Sequence, residues 1–206
     1  MHDVTPFQQI SPTTLGDVLG RDQVMDVGIR PLWASPRIAG PAFTVRCAPG
    51  DNLMLHAAIY RAAPGTIIVV EAGDVDYAVA GGNVCAVAQR RGIAAFVIDG
   101  VIRDIAEVRE MGFPVFARGI IPAPGTKSSV APLNEPVQCG GVRVHAGDVV
   151  VADEEGVVIV PVDRRDEVLR DARERLANEA GESLDAWELS HRARVDKILS
   201  HNGFSA

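Results

Sequence analysis

The stretch GGNVCAVAQRRGIAAFVIDGVIRD, residues 81–104, decides the fold. It opens on Gly81, Gly82 and Asn83, continues as a small, mostly apolar segment from Val84 to Arg91, and stops at Gly92. That pattern predicts a short helix with a glycine end, because glycine takes the left-handed conformation past a last turn at no steric cost. Ala94 to Ile98 is a continuous apolar run of strand length, as in a strand covered on both faces. Arg103-Asp104 then opens a further helical segment reaching about Met111. Helices alternating with buried strands predict an α/β fold.

The neighbouring segments extend the alternation. Upstream, Thr66 to Val70 is a β-branched run after a Pro64-Gly65 turn, and Pro41 to Cys47 alternates as a strand does. Between them Asp51-Asn52 offers a cap for a helix to about Arg61. Ser11-Pro12 predicts a helix start and Gly20 its stop. Glu71 to Tyr77 reads as an acidic loop, Pro114 to Ala117 as a strand, and Ile120 to Pro136 as loop or irregular edge strand. Gln138 to Pro161 reads as all β. Beyond Pro161, charges at helical spacing predict two helices, with Leu169, Ala172 and Leu176 on one face of the first. Leu184, Trp187, Val195, Ile198 and Leu199 approximate a stripe on the second, behind a Ser183 cap.

The 206 residues are 47% hydrophobic and 23% charged, which argues for a folded globular chain and against disorder or a coiled coil. A chain of this length buries roughly 70–75% of its unfolded surface and needs no disulfide or structural metal to fold. The formal net charge of −7 disfavours nonspecific binding to nucleic acid. Cys47, Cys85 and Cys139 are odd in number and lack metal-type spacing, so they read as thiols of a reducing compartment. The opening residues show no secretory signal pattern and no apolar run approaches a membrane span, so a cytoplasmic chain without a membrane partner is expected.

The chemistry concentrates in the same 81–104 stretch. Free amides at a helix start favour an anion, and glycine lets it come close. Arg103 can grip a carboxylate with two parallel hydrogen bonds, and Asp104 is a hard oxygen ligand of the kind Mg²⁺ takes. Together they suit a small oxo acid bound with a metal. The competing reading makes the glycines turn residues, Asp104 the cap of its own helix and Arg103 a solvated charge. Neither a dinucleotide nor a phosphate-loop fingerprint is present.

These residues carry a resemblance. Gly81-Gly82-Asn83-Val84, Arg91-Gly92, Val97-Ile98-Asp99-Gly100, Arg103-Asp104 and Gly112-Phe113-Pro114-Val115-Phe116-Ala117-Arg118-Gly119 resemble the RraA-like family. Gly40 to Val45 and Gly147 to Asp153 add to it, and the similarity runs from about residue 10 to about residue 180. That family includes the class II 4-hydroxy-4-methyl-2-oxoglutarate (4-carboxy-4-hydroxy-2-oxoadipate) aldolases. The resemblance implies one RraA-like domain over 1–206, a compact α/β sandwich with a central barrel-like sheet. It also implies assembly as a homotrimer or homohexamer, with helices from about residue 162 placed at a subunit interface. Backbone amides from Gly81 to Val84 would hold the carboxylate of a 2-oxo acid, Arg103 would contact the substrate, and Asp104 would hold Mg²⁺ or Mn²⁺ largely through waters. A glutamate from a neighbouring copy completes the site in the aldolases, and Glu179 lies at about the matching position.

The implied activity is cleavage of a 4-hydroxy-2-oxo diacid to pyruvate and a second oxo acid, with oxaloacetate decarboxylation beside it. The two reactions share the pyruvate enolate, which a metal stabilises as a Lewis acid. No side-chain base stands among these residues, so a metal-bound or ordered water is expected to move the protons. One departure is that the aldolases often carry an acid in the glycine loop, where this chain has Asn83. The family's other branch regulates a ribonuclease by binding it and often lacks the acid of the Arg-Asp pair. Asp104 is retained here.

The remaining candidates read as structural. His56, His145 and His191 have no partner at metal-ligand spacing, Cys85 reads as a buried filler, and Asp74 and Asp76 read as a solvated loop. The turn Asp153 to Gly156 reads as an ordinary acidic turn.

Overall fold

A computed structural model of the chain describes residues 3–34, 36–181 and 183–204. Its organising element is a parallel sheet assembled through helical crossovers. Strand β1 is Arg30–Pro31 and β2 is Ile38–Arg46. Helix α2 (Leu53–Ala58) leads to β3 (Ile67–Glu71), following α1 (Pro12–Leu19) in chain order. Strand β4 (Ala78–Ala80), helix α3 (Gly82–Arg90), strand β5 (Ala95–Ile102), helix α4 (Ile105–Glu110) and strand β6 (Val115–Ile120) complete this half. Strands β2, β3, β5 and β6 pair in parallel in that order, and β4 pairs in parallel with the far end of β5. A parallel pair needs a crossover, and α2, α3 and α4 supply them.

The second half closes the sheet. Strands β7 (Val137–Cys139) and β8 (Val142–Val144) form a separate hairpin. Strand β9 (Val149–Asp153) runs antiparallel to the first half of β2, and β10 (Gly156–Val160) antiparallel to β9. Thus Ile38 to Pro41 pair with β9, while Ala42 to Arg46 pair with β3. The far edge, β1 beside β6, returns toward β10. Arg30 donates to the Glu155 carbonyl at 3.0 Å, and Val24 bridges Val158. The sheet is therefore a nearly closed barrel. Helices α5 (Arg165–Ala180) and α6 (Leu184–His201) follow.

Burial explains the layers. In β3, Ile68 and Val70 face α2, α3 and α4 together with Leu55, Phe96 and Phe113. Ile67 and Val69 face the other way, into a core with Phe116, Val150 and Ile159. A strand covered on both faces must be apolar at every position, which is what the run predicts. Outside β9 and β10, α1 and α5 seat Leu15, Val168 and Ala172 against Val151 and Val160. The order is helix, sheet, sheet, helix.

The expected helix signals hold at α1. Ser11 Oγ accepts from the Thr14 amide at 3.1 Å, and Gly20 ends the helix at φ 94°. In α5, Val168 and Ala172 are buried, with Leu169 and Leu176 packed at the margin. Helix α6 differs, because its stripe from Leu184 to Leu199 buries no residue within one chain. No described helix is long and apolar enough to cross a membrane.

Candidate active site

In a parallel α/β sheet the carboxyl ends of the strands, where loops run into helix N-termini, are the natural place for a ligand. Here β4 ends at Ala80 and β5 at Ile102, side by side. The Arg103 amide donates to the Ala80 carbonyl at 3.0 Å, which sets Arg103-Asp104 against the glycine loop.

Asp104 does not cap its own helix. Its backbone is left-handed (φ 59°, ψ 37°), and its side chain makes no capping bond to α4. The carboxylate instead turns back across the loop and accepts the Gly82 amide at 3.0 Å on Oδ2. Arg103 Nε lies 3.4 Å from the same oxygen. Non-glycine residues pay for this conformation, Asp least among them, and such strain concentrates at functional sites. A Cβ on Gly81 would collide with Asp104 Oδ2, and one on Gly82 with Glu107 Oε2. At Gly81 the Arg103 and Asp104 side chains would both have to give, whereas the flexible end of Glu107 can swing clear of Gly82.

Arg103 and Asp104 border a cavity of ≈ 80 Å³, opening to solvent, that Gly81, Asn83 and Val84 also line. That is below the range of drug-sized ligand sites and suits only a small ligand. The lining also includes Asn52, which the sequence offers as a cap, His56, which it reads as structural, and Lys127, which it leaves in a loop. Asn52 is buried, and its Nδ2 donates to the carbonyls of Gly125 (3.2 Å) and Ala78 (3.5 Å). Its buried Oδ1 has no partner among the described residues. His56 is half-buried on α2. Burial, seconded by the Lys127 ammonium, holds its imidazole below the ordinary histidine range, while Asp51 pulls weakly the other way.

Lys127 belongs to the loop between β6 and β7, and Asp51 holds that loop in place. Asp51 Oδ2 accepts from Thr126 Oγ1 (3.2 Å), Ser128 N (2.6 Å), Ser128 Oγ (2.9 Å) and Ser129 N (3.2 Å). Its Oδ1 accepts the Leu53 amide at 2.8 Å and so starts α2. Burial alone would raise this carboxyl. The donors from Leu53, Ser128 and Ser129 outweigh it and pull the group down to about 2. Lys127 forms no ion pair among the described residues.

Glu179 lies elsewhere. It pairs with Arg175 at 2.9 Å and lines a groove between α1, α5 and α6 with Trp187 and Arg194. Within one chain it does not border the Asp104 cavity. Among the described residues no three His, Cys, Asp or Glu side chains gather as a metal cage. Mg²⁺ does not need one, since it keeps several waters and takes one or two carboxylates. Asp104 meets that requirement, being partly exposed with an Oδ1 that accepts nothing among the described residues. Cys85 is sealed in the core, and burial pushes its thiol up to about 12, which leaves it inert. Asp74 binds the amides of Gly50, Asp76 and Tyr77 and orders its own loop.

Residues 8–159 match the profile of RraA-like proteins (Aldolase/RraA). The chain belongs to the RraA-like family. A Halalkalibacterium halodurans protein named "Putative 4-hydroxy-4-methyl-2-oxoglutarate aldolase" is 39% identical over 198 residues, 96% of this chain and 90% of that protein. Among solved structures, the fold matches Streptomyces coelicolor RraAS2, described as an unusual member of the RNase ES inhibitor RraA family. The TM-score is 0.75 at 30% identity, over 93% of this chain and 96% of that one. It also matches the RNA-processing inhibitor RraA from Thermus thermophilis, with a TM-score of 0.66 at 27% identity, over 72% of this chain and 91% of the other. The resemblance read from residues 81–119 and the sandwich expected from it both stand. The names of the relatives support an aldolase-like activity within the family.

Proposed function

We propose that this RraA-like protein is a divalent-metal-dependent carbon–carbon lyase. Its substrate would be 4-hydroxy-4-methyl-2-oxoglutarate or 4-carboxy-4-hydroxy-2-oxoadipate, cleaved to pyruvate and a second oxo acid, with oxaloacetate decarboxylation as a second activity. One observation carries the reading: Arg103 and Asp104 meet the Gly82 amide at the carboxyl end of β5, over a small polar cavity. Asp104 would hold Mg²⁺ or Mn²⁺ largely through waters. Glu179 would join it only from a second copy, in a homotrimer or homohexamer. The metal supplies Lewis-acid polarisation of the 2-oxo acid.

The chain's own residues supply the rest. Asp104 takes the Gly82 amide, so the remaining amides from Gly81 to Val84 at the start of α3 orient the substrate carboxylate. Arg103 places fixed positive charge where the enolate oxygen develops, the preorganised stabilisation that accounts for much of enzymatic rate enhancement. The acidic chain has no cationic surface excess for nucleic acid, and a small anionic metabolite of the cytoplasm is the fitting partner.

Pyruvate release from both acids, with Mg²⁺ and with chelator, tests the reading. Turnover is expected to require the metal and to vanish in Asp104→Ala. Absence of turnover above the metal's own decarboxylation of oxaloacetate would sink it. The likeness to the two RraA structures favours one alternative, a non-catalytic regulator that binds a ribonuclease. Capture of a ribonuclease by an inactive protein would decide for that alternative.

A further inference from the structure

Retro-aldol cleavage needs an acceptor for the proton of the C4 hydroxyl. On the Arg103–Asp104 side Arg103 is a permanent cation, Asp104 Oδ2 is committed to Gly82, and Asp104 Oδ1 is the oxygen the lyase reading assigns to the metal. The other wall is different. His56 lines it from α2, whose backbone is tied to Asn52 through the His56 amide at 3.2 Å. Asn52 adds a buried Oδ1 with no partner among the described residues, so this wall holds an unsatisfied acceptor there. A buried orphan acceptor is costly and calls for a donor from a ligand or a water. Three charged groups bear on the imidazole or share its cavity besides Arg103, namely Lys127, Asp51 and Asp104. Burial and Lys127 keep it neutral near pH 7, the form with a free lone pair.

We propose that His56 is the general base of the cleavage, with Asn52 completing a hydroxyl-recognising wall opposite Arg103. The inference rests on the lyase reading above. A neutral ring nitrogen of His56 takes the C4 hydroxyl proton. The new C4 carbonyl forms as the C3–C4 bond breaks, and that electron pair becomes the pyruvate enolate. The imidazolium then returns the proton to C3, which releases pyruvate and the second oxo acid and leaves His56 neutral. No other reactant is consumed. This places a side chain where the sequence alone suggested a water.

Oxaloacetate separates this role from general damage to the site, because it loses CO₂ to the same enolate with no hydroxyl proton to remove. The experiment measures both reactions, with Mg²⁺, for the wild type, His56→Gln and His56→Asn. Folding of each variant is verified by its melting transition. The expected result is a loss of retro-aldol kcat of about 10²–10⁴-fold with decarboxylation near the wild-type rate. A parallel fall of both rates, or no fall in either, overturns the assignment while leaving the lyase reading intact. A wild type that decarboxylates but does not cleave the hydroxy acid also overturns it. A wild type inactive on both acids removes the lyase reading and this inference with it.

Discussion

Two carboxylates serve one cavity in opposite ways: Asp104 lines it, and Asp51 holds the loop from which Lys127 lines it. Asp51 is buried and accepts five hydrogen bonds, so it is fully spent on architecture. Asp104 is partly exposed, stands in a left-handed conformation and accepts one backbone bond. The fold uses the first to fix where Lys127 stands and leaves the second with coordinating capacity to spare. In this molecule a satisfied carboxylate is scaffold, and an under-satisfied one at a strand end is available for chemistry.

The same isosteric change at both positions sharpens the contrast. Asp104→Asn keeps a residue tolerant of the left-handed region and removes only the charge. Turnover is expected to fall about 10³-fold, with the urea midpoint close to wild type. A midpoint that collapses instead would show Asp104 to be structural. Asp51→Asn should do the reverse. It turns an amide donor toward the Ser128 and Ser129 donors, and a loss of about 3 kcal/mol in urea unfolding is expected. A silent Asp51→Asn would break the comparison.

Acid titration of the wild type reads the same knot. The Asp51 carboxyl is lowered from 3.8 to about 2 in the folded chain. Its contribution is therefore complete above pH 4 and is lost as pH falls toward 2. About 2 kcal/mol is at stake, measured as unfolding free energy against pH, and Asp51→Asn should flatten that limb. The smallest effect is expected at Lys127→Met. Removing the cation should raise the His56 pKa, so the neutral imidazole is lost at a higher pH than in the wild type. An NMR titration of the His56 ring checks the direction without reference to activity.

Much of this was legible in sequence because it is local. The Ser11 cap, the Gly20 stop and the apolar run of β3 each depend on residues a few positions apart. Residues 81–104 revealed helix, strand and Arg103-Asp104 for the same reason. Strand β4 escaped because three residues carry no period, and β1 because two residues ending in Pro31 look like loop. The cap reading of Asp51-Asn52 was half right. Asp51 does start α2, whereas Asn52 turns its amide to Ala78 and Gly125. The second wall was invisible because its assembly is long-range. Segment 120–136 reads as loop, and long-range bonds bring Lys127 beside His56, from residues 126–129 to Asp51 and from residues 125–126 to Gly50, Asn52 and Ala78. The stripe on α6 was read correctly as apolar, and one chain alone leaves it uncovered.

The division of β2 between two partners has a consequence for synthesis on the ribosome. Residues 38–120 hold the whole parallel array, yet half of β2 waits for a partner made more than a hundred residues later. Until Val149 to Asp153 emerge, Ile38 to Pro41 form an open strand edge, a template for pairing with another nascent chain. A fragment ending before Val149 is thus expected to aggregate. One ending just after α5 keeps every strand hydrogen-bonded and should stay in solution.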